Sequence, residues 1–73
     1  MEKELISLGD LSKELGINKS KLNYYAWLKL IEPIAVLGKT MVFEKNAIIK
    51  RVNFINEEQK NGKSLKQILA DNN

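Results

Sequence analysis

The apolar residues near the N-terminus repeat at a helical spacing between two clear boundary signals. Leucines recur at helical intervals after Ser7, and Ser7 forms a start resembling a capping box with Asp10, so the pattern predicts a helix over residues 8–15. Gly16 is a stop signal for that helix. Asn18, a good N-cap, follows two residues later, so a second helix starts after a very tight turn. Two helices joined by a three-residue turn that contains glycine have the spacing of a helix-turn-helix.

The second helix has a core face and an opposite, outward face. Its core positions recur at i, i+3 and i+4, at Leu22, Tyr25 and Ala26. At about 100° per residue, the outward face holds Ser20, Tyr24 and Trp27. The helix is predicted to end before Pro33, because a residue that precedes proline is pushed toward extended conformations.

The rest of the chain predicts a hairpin and two more helices. The segment PIAVLGKTMVF predicts a two-stranded β-hairpin with glycine at its tip, which is a wing. A third amphipathic helix is expected over about residues 45–61, with Gly62 as its stop. Ser64 and Gln67 form a capping box that opens a short last helix. That helix is expected to bury Leu65, Ile68 and Leu69. The predicted fold is therefore mostly α: a single winged helix-turn-helix domain over residues 1–73, with about four short helices.

The outward face of the second helix is unusually aromatic for a polar segment. Tyr24 and Trp27 cannot join the core that Tyr25 enters, and they lie beside Ser20 and Asn23. Hydroxyl, amide and lysine side chains contact phosphates, and short polar side chains near a helix N-terminus reach base edges, so this surface suits DNA. The alternative is that the hairpin covers Trp27 and Leu28 as a secondary core.

The positive charge of the chain is concentrated in its middle. The whole 73-residue chain has a formal net charge of +3. Residues 16–42 hold four lysines (Lys19, Lys21, Lys29 and Lys39) and one acid, Glu32, which gives 4 − 1 = +3, while the remainder holds eight charges of each sign. Such a basic cluster is the electrostatic signature of a nucleic-acid site, although surface lysines are also common as solvating groups.

Composition excludes several other functions. The chain has no cysteine and no histidine, so it lacks disulfides, thiolate ligands, imidazole ligands and the commonest general base, and no metal or other cofactor is expected. Asp10 and Glu14 are the best catalytic candidates, but their spacing is that of a solvated helix face, so we expect no enzymatic activity. No apolar stretch resembles a signal peptide or a membrane span, which indicates a cytoplasmic protein.

The motifs also carry a family resemblance. The run LGDLSKELGINKSKLNYYAWLKLIEP resembles the N-terminal DNA-binding domain of MerR-family transcription regulators, in which a glycine turn is followed by Arg-Tyr-Tyr and a Leu-Leu-x-Pro exit. The tyrosine pair is Tyr24-Tyr25, and residues 30–33 match the exit. The run RVNFINEEQKNGKSLKQIL is similar to the third and fourth helices of the family. In this chain the family arginine is replaced by Asn23, the following acid by Ala26, and the wing Tyr-Arg pair by Thr40-Met41.

The resemblance implies sequence-specific binding of double-stranded DNA in transcription regulation. The recognition helix, residues 19–28, would enter the major groove, and the wing would touch the flanking backbone. The positions carried over are Asn18, Lys19, Ser20, Lys21, Asn23 and Tyr24 in and before that helix, with Lys39 and Thr40 at the wing tip. Trp27 joins this set through its place on the outward face.

The sequence is also compatible with two other functions, and it leaves the oligomeric state open. Excisionase-like proteins, which bend DNA, share the winged fold, and the face of Tyr24 and Trp27 also suits a protein partner. Family members continue into a long dimerising helix and an effector-binding region, whereas this sequence stops at ADNN, so we expect either a fragment or a small stand-alone protein. As given, the chain is expected to be a monomer that dimerises on DNA or through further residues.

Overall fold

The fold is a mostly α winged helix-turn-helix, as the sequence predicts. The computed structural model describes residues 3–71. The order along the chain is β1 (Leu5–Ser7), α1 (Leu8–Leu15), α2 (Lys19–Trp27), β2 (Ala35–Leu37), β3 (Thr40–Glu44), α3 (Lys45–Lys60) and α4 (Leu65–Asp71). None of the helices in this described part combines the length and the apolar character needed to cross a membrane.

The predicted hairpin is present, but the sheet has a third strand that the sequence analysis missed. All pairs are antiparallel in the order β1-β3-β2, with Val36 opposite Met41 in the hairpin and Ile6 opposite Phe43 across the new pair. The predicted two-stranded hairpin is therefore confirmed as the wing, and β1 extends it to a three-stranded sheet. β1 has only three residues, which is too short for an alternating pattern to reveal a strand.

The predicted helix caps are formed by the expected side chains. Ser7 Oγ accepts a hydrogen bond from the Asp10 amide at 3.2 Å at the start of α1. Ser64 and Gln67 exchange two hydrogen bonds before α4: the Ser64 amide donates to Gln67 Oε1 at 3.1 Å, and the Gln67 amide donates to Ser64 Oγ at 3.2 Å. This reciprocal pair is a capping box.

One core joins all four helices to β1 and β3. Its largest fully buried side chains are Tyr25, Phe43, Leu11, Leu22, Leu30, Ile31, Ile55, Ile68 and Val52. The sequence placed Tyr25 in the core, and its side chain is 1% exposed, while its hydroxyl donates to Gln59 Oε1 at 3.3 Å. Of the three residues predicted to be buried in α4, Ile68 is buried, and Leu65 and Leu69 are half-buried against the same core.

Candidate nucleic-acid interface

The turn between α1 and α2 is held by hydrogen bonds on both sides. Gly16 adopts a left-handed conformation with φ +65°, which glycine tolerates without a steric penalty, and so ends α1 where the sequence predicts. Ser12 Oγ donates to the carbonyl oxygen of Ile17. Asn18 Oδ1 accepts from the Ser20 amide at 2.7 Å, which is an N-cap for α2. The start of α2 is therefore fixed relative to α1.

α2 buries one face and exposes the other. Leu22 and Tyr25 are buried, and Ala26 packs partly against the core. The predicted recognition positions in and just before α2 are all exposed: Asn18, Lys19, Ser20, Lys21, Asn23, Tyr24 and Trp27. The sequence-predicted set in this region thus lies together on the accessible side of a single helix.

An aromatic pair lies on the outward face of α2. Tyr24 is 50% exposed and Trp27 is 76% exposed. Their ring centroids are 6.2 Å apart and their planes differ by 16°, so the rings are nearly parallel and offset. The alternative prediction that the hairpin covers Trp27 is wrong, whereas Leu28 does pack half-buried against the core.

Two lysines flank this helix face, and α2 itself carries no acid. The Lys21 ammonium lies 5.9 Å from the centre of the Tyr25 ring. The Lys19 side chain passes over the first turn of α1, where a β-carbon on Gly9 would lie 3.7 Å from Lys19 Cε and 3.8 Å from Nζ. These are ordinary van der Waals distances, so the Lys19 head lies against Gly9 without requiring glycine there.

The end of α2 lies before Pro33, as predicted, and one residue short of the predicted bound at 28. The helix ends at Trp27, where the chain turns in a Schellman motif. The Lys29 amide donates to the Ala26 carbonyl at 3.0 Å and the Leu30 amide to the Tyr25 carbonyl at 2.9 Å. Lys29 takes the left-handed position with φ 65°, where glycine is usual.

Arg51 is a positioning residue that the sequence analysis missed. Its Nε donates to the Leu30 carbonyl oxygen at 2.7 Å, and its guanidinium carbon lies 5.5 Å from the centre of the Phe54 ring. It is the only arginine in a chain with eleven lysines. This contrast in the sequence could have identified Arg51, since arginine offers a planar, directional set of hydrogen-bond donors that lysine lacks.

The wing tip presents the two remaining predicted residues. Gly38 has φ +63° at the first central position of the two-residue loop between β2 and β3, as in a type II′ turn. Lys39 and Thr40 follow it and are exposed. The tip therefore carries one cation and one hydroxyl into solvent.

The acidic candidates are engaged elsewhere or solvated. The Glu14 carboxylate lies 3.8 Å from the Lys45 ammonium, and Asp10 is exposed in the first turn of α1. Among residues 3–71, no three His, Cys, Asp or Glu side chains come close enough to hold a metal ion.

Comparison with known proteins agrees with this fold. No family model matches the chain, and no solved structure gave a significant match. The chain is 39% identical over 70 residues to the HTH-type transcriptional activator SoxR homolog of Chromobacterium violaceum, a match that covers 96% of this chain and 47% of that protein. The chain thus spans about half the length of that relative. Together with the motifs and the fold, this match supports a MerR-like helix-turn-helix domain.

Proposed function

We propose that this domain binds double-stranded DNA in a sequence-specific way and acts in transcription regulation. The observation that carries the proposal is the outward face of α2, where polar, cationic and aromatic side chains are all exposed and no acid is present. A helix that buries its core face and exposes polar, cationic and aromatic side chains on the other has the chemistry needed to contact a DNA groove.

In this proposal α2 enters the major groove, and the wing contacts the flanking backbone. Ser20 and Asn23 are exposed in the first half of the helix, the part that reads base edges in helix-turn-helix proteins. Lys19 and Lys21 neutralise phosphates beside the groove, and Lys39 does so from the wing tip. The Thr40 hydroxyl, also at the wing tip, donates a hydrogen bond to a phosphate oxygen.

The match to a transcriptional activator supports a binding role rather than a catalytic one. That relative is named as an HTH-type regulator, and its similarity covers nearly all of this chain. We therefore propose a non-catalytic domain that needs no cofactor and acts in the cytoplasm.

A salt titration tests the proposal most directly. We expect the logarithm of affinity for mixed-sequence duplex DNA to fall with the logarithm of salt concentration at a slope of about two to four, since each neutralised phosphate contributes about 0.9. Replacing Lys19, Lys21 and Lys39 by glutamine should reduce that slope. Lys66→Gln, an exposed lysine of α4, is the matched control and should leave the slope unchanged. A flat salt response would exclude DNA binding.

The exposure of Tyr24 and Trp27 also favours a second candidate, a protein-interaction module. Tyrosine and tryptophan are common anchors of protein interfaces. Binding through these rings would depend little on salt, so the same titration separates the two functions. An excisionase-like role predicts in addition that the domain bends its duplex, which fluorescence energy transfer between the two DNA ends would detect.

A further inference from the structure

We propose that the Tyr24–Trp27 aromatic pair reads thymine methyl groups in the major groove, so that the preferred DNA carries thymines beneath the middle of α2. This inference rests on the proposed DNA binding and names the feature of the duplex that this site selects.

The placement of side chains around α2 supports this assignment. At about 100° per residue, Ser20, Tyr24 and Trp27 lie within about 60° of one another, at the centre of the outward face. Lys21 lies about 60° beyond Tyr24 on one side, and Lys19 lies about 80° beyond Trp27 on the other. The centre of the face is therefore aromatic, and the cations lie on its two flanks.

A helix in the major groove meets two different chemistries across its width. Its flanks approach the phosphates of the two strands, which suits the lysines, and the centre of its face approaches the base edges. Among the groups that base pairs present there, the C5 methyl of thymine is the apolar one that aromatic and other apolar side chains contact. Tyr24, in the middle of α2 and half exposed, is placed to meet it.

The other side chains of α2 agree with A·T base pairs. The helix contains no arginine, so it lacks the side chain that most often pairs with guanine. Asn23, next to Tyr24, is the residue type that pairs bidentately with adenine.

The surroundings of the pair favour DNA over a protein as its occupant. α2 carries Lys19 and Lys21 and no acid. The charged side chains that border the two rings within this helix are therefore all positive. The two ring centroids are 6.2 Å apart and the rings are stacked, so the pair forms one continuous exposed patch of aromatic surface. Such an apolar patch between cations complements methyl groups that lie between phosphates.

The test uses a duplex enriched from a random-sequence pool by repeated selection on the 73-residue chain. The duplex is resynthesised with deoxyuridine in place of each thymine in turn, which removes only the methyl group. We expect a loss of affinity of about fourfold at each thymine that is contacted, from the burial of one methyl. The double variant Tyr24→Ala, Trp27→Ala should bind thymine and uracil duplexes equally well. Tyr24→Phe should keep the discrimination, because the ring rather than the hydroxyl makes the contact.

Leu5→Ala removes a comparably exposed apolar side chain, 52% exposed, from β1 and is the matched control that should keep the discrimination. Circular dichroism verifies that each variant is folded. The inference is overturned if no thymine responds to loss of its methyl, or if the double variant responds as strongly as the wild type. Salt-dependent binding would persist in that case and the proposed function would stand, whereas absence of any salt-dependent binding would overturn both.

Discussion

Arg51 Nε donates a hydrogen bond of 2.7 Å to the main-chain carbonyl oxygen of Leu30. Leu30 is buried and follows Lys29, the left-handed residue that ends α2. α3 therefore holds the exit of α2 by a charged donor, in addition to the contact between Tyr25 and Gln59. The orientation of the outward face of α2 depends on these links.

Loss of the Arg51 side chain should destabilise the fold. Arg51→Met removes a charge-assisted hydrogen bond to a half-buried site and should lower the free energy of unfolding by about 1.5 to 3 kcal/mol, measured by urea denaturation. Lys50→Met, at the exposed neighbouring position of α3, should change it by less than about 0.5 kcal/mol. Equal effects of the two substitutions would contradict the role of Arg51.

Glycine at position 29 should be tolerated or favourable. Lys29 has φ 65°, which costs a residue with a β-carbon about 1 to 2 kcal/mol, partly offset by the greater chain entropy of unfolded glycine. We expect Lys29→Gly to raise the free energy of unfolding by up to about 1 kcal/mol, and Lys29→Val to lower it. Lys29→Ala, which removes the charge and keeps the β-carbon, is the control. A large loss of stability on Lys29→Gly in thermal melts would show that the left-handed conformation at position 29 is not a source of strain.

Ser20 and Asn23 should determine sequence preference, and Lys39 should not. Alanine at Ser20 or Asn23 is expected to change the preference at one base position by about 1 to 3 kcal/mol, because a base contact is lost. Lys39→Ala should weaken all sequences alike, because a phosphate contact carries no sequence information. Competition binding against single-base variants of a selected duplex measures both effects. The reverse pattern would mean that α2 does not lie in the groove.

The last turn of the fold should respond to alkaline pH through Lys63. Its ammonium lies 2.9 Å from Asp71 Oδ2 and 3.3 Å from Glu58 Oε2, and the hydrogen bonds to Asp71 and then to Glu58 raise the pKa of Lys63 above its ordinary value of 10.5. Because the pKa of Lys63 is higher in the folded state than in the unfolded state, its ion pairs stabilise the fold fully below the unfolded pKa. That stabilisation is lost as the pH rises through the folded pKa.

Thermal melts across that range test the Lys63 contacts. The wild type should lose stability above about pH 10.5, and Lys63→Arg, which stays charged there, should lose less. Lys66→Arg, an exposed lysine of the same region, is the matched control and should follow the wild type. Identical pH profiles for the wild type and Lys63→Arg would show that these ion pairs do not stabilise the fold.

The 73-residue chain is expected to be a monomer without DNA. Ile68 is buried in the core of its own chain, and Leu65 and Leu69 pack partly against that core, so α4 has little apolar surface left for a second copy. Sedimentation equilibrium at tens of micromolar should give the monomer mass of 8.3 kDa. A stable dimer would contradict this and would direct attention to the exposed Tyr24 and Trp27.

The sequence was most informative where one short segment contains both partners of an interaction. The glycine at position 16, the Asn18 cap and the Ser64–Gln67 capping box each act within a few residues, so their sequence signals were confirmed directly. The two faces of α2 also follow from helical periodicity alone, because the core positions recur every three or four residues. Helical periodicity within α2 therefore determines that Tyr24 is exposed and Tyr25 is buried.

Tertiary structure decided what depends on residues far apart in the chain. β1 exists as a strand because Ile6 pairs with Phe43, and three residues carry no detectable period of their own. α2 ends at Trp27 because Leu30 must enter the core, which forces Lys29 into a conformation that its sequence does not favour. The contact of Arg51 with Leu30 has the same origin, since only packing of α3 brings that donor to the end of α2. Local caps and periodicity therefore determined the helices, whereas burial of distant apolar residues decided where α2 ends, the third strand and the support of the candidate interface.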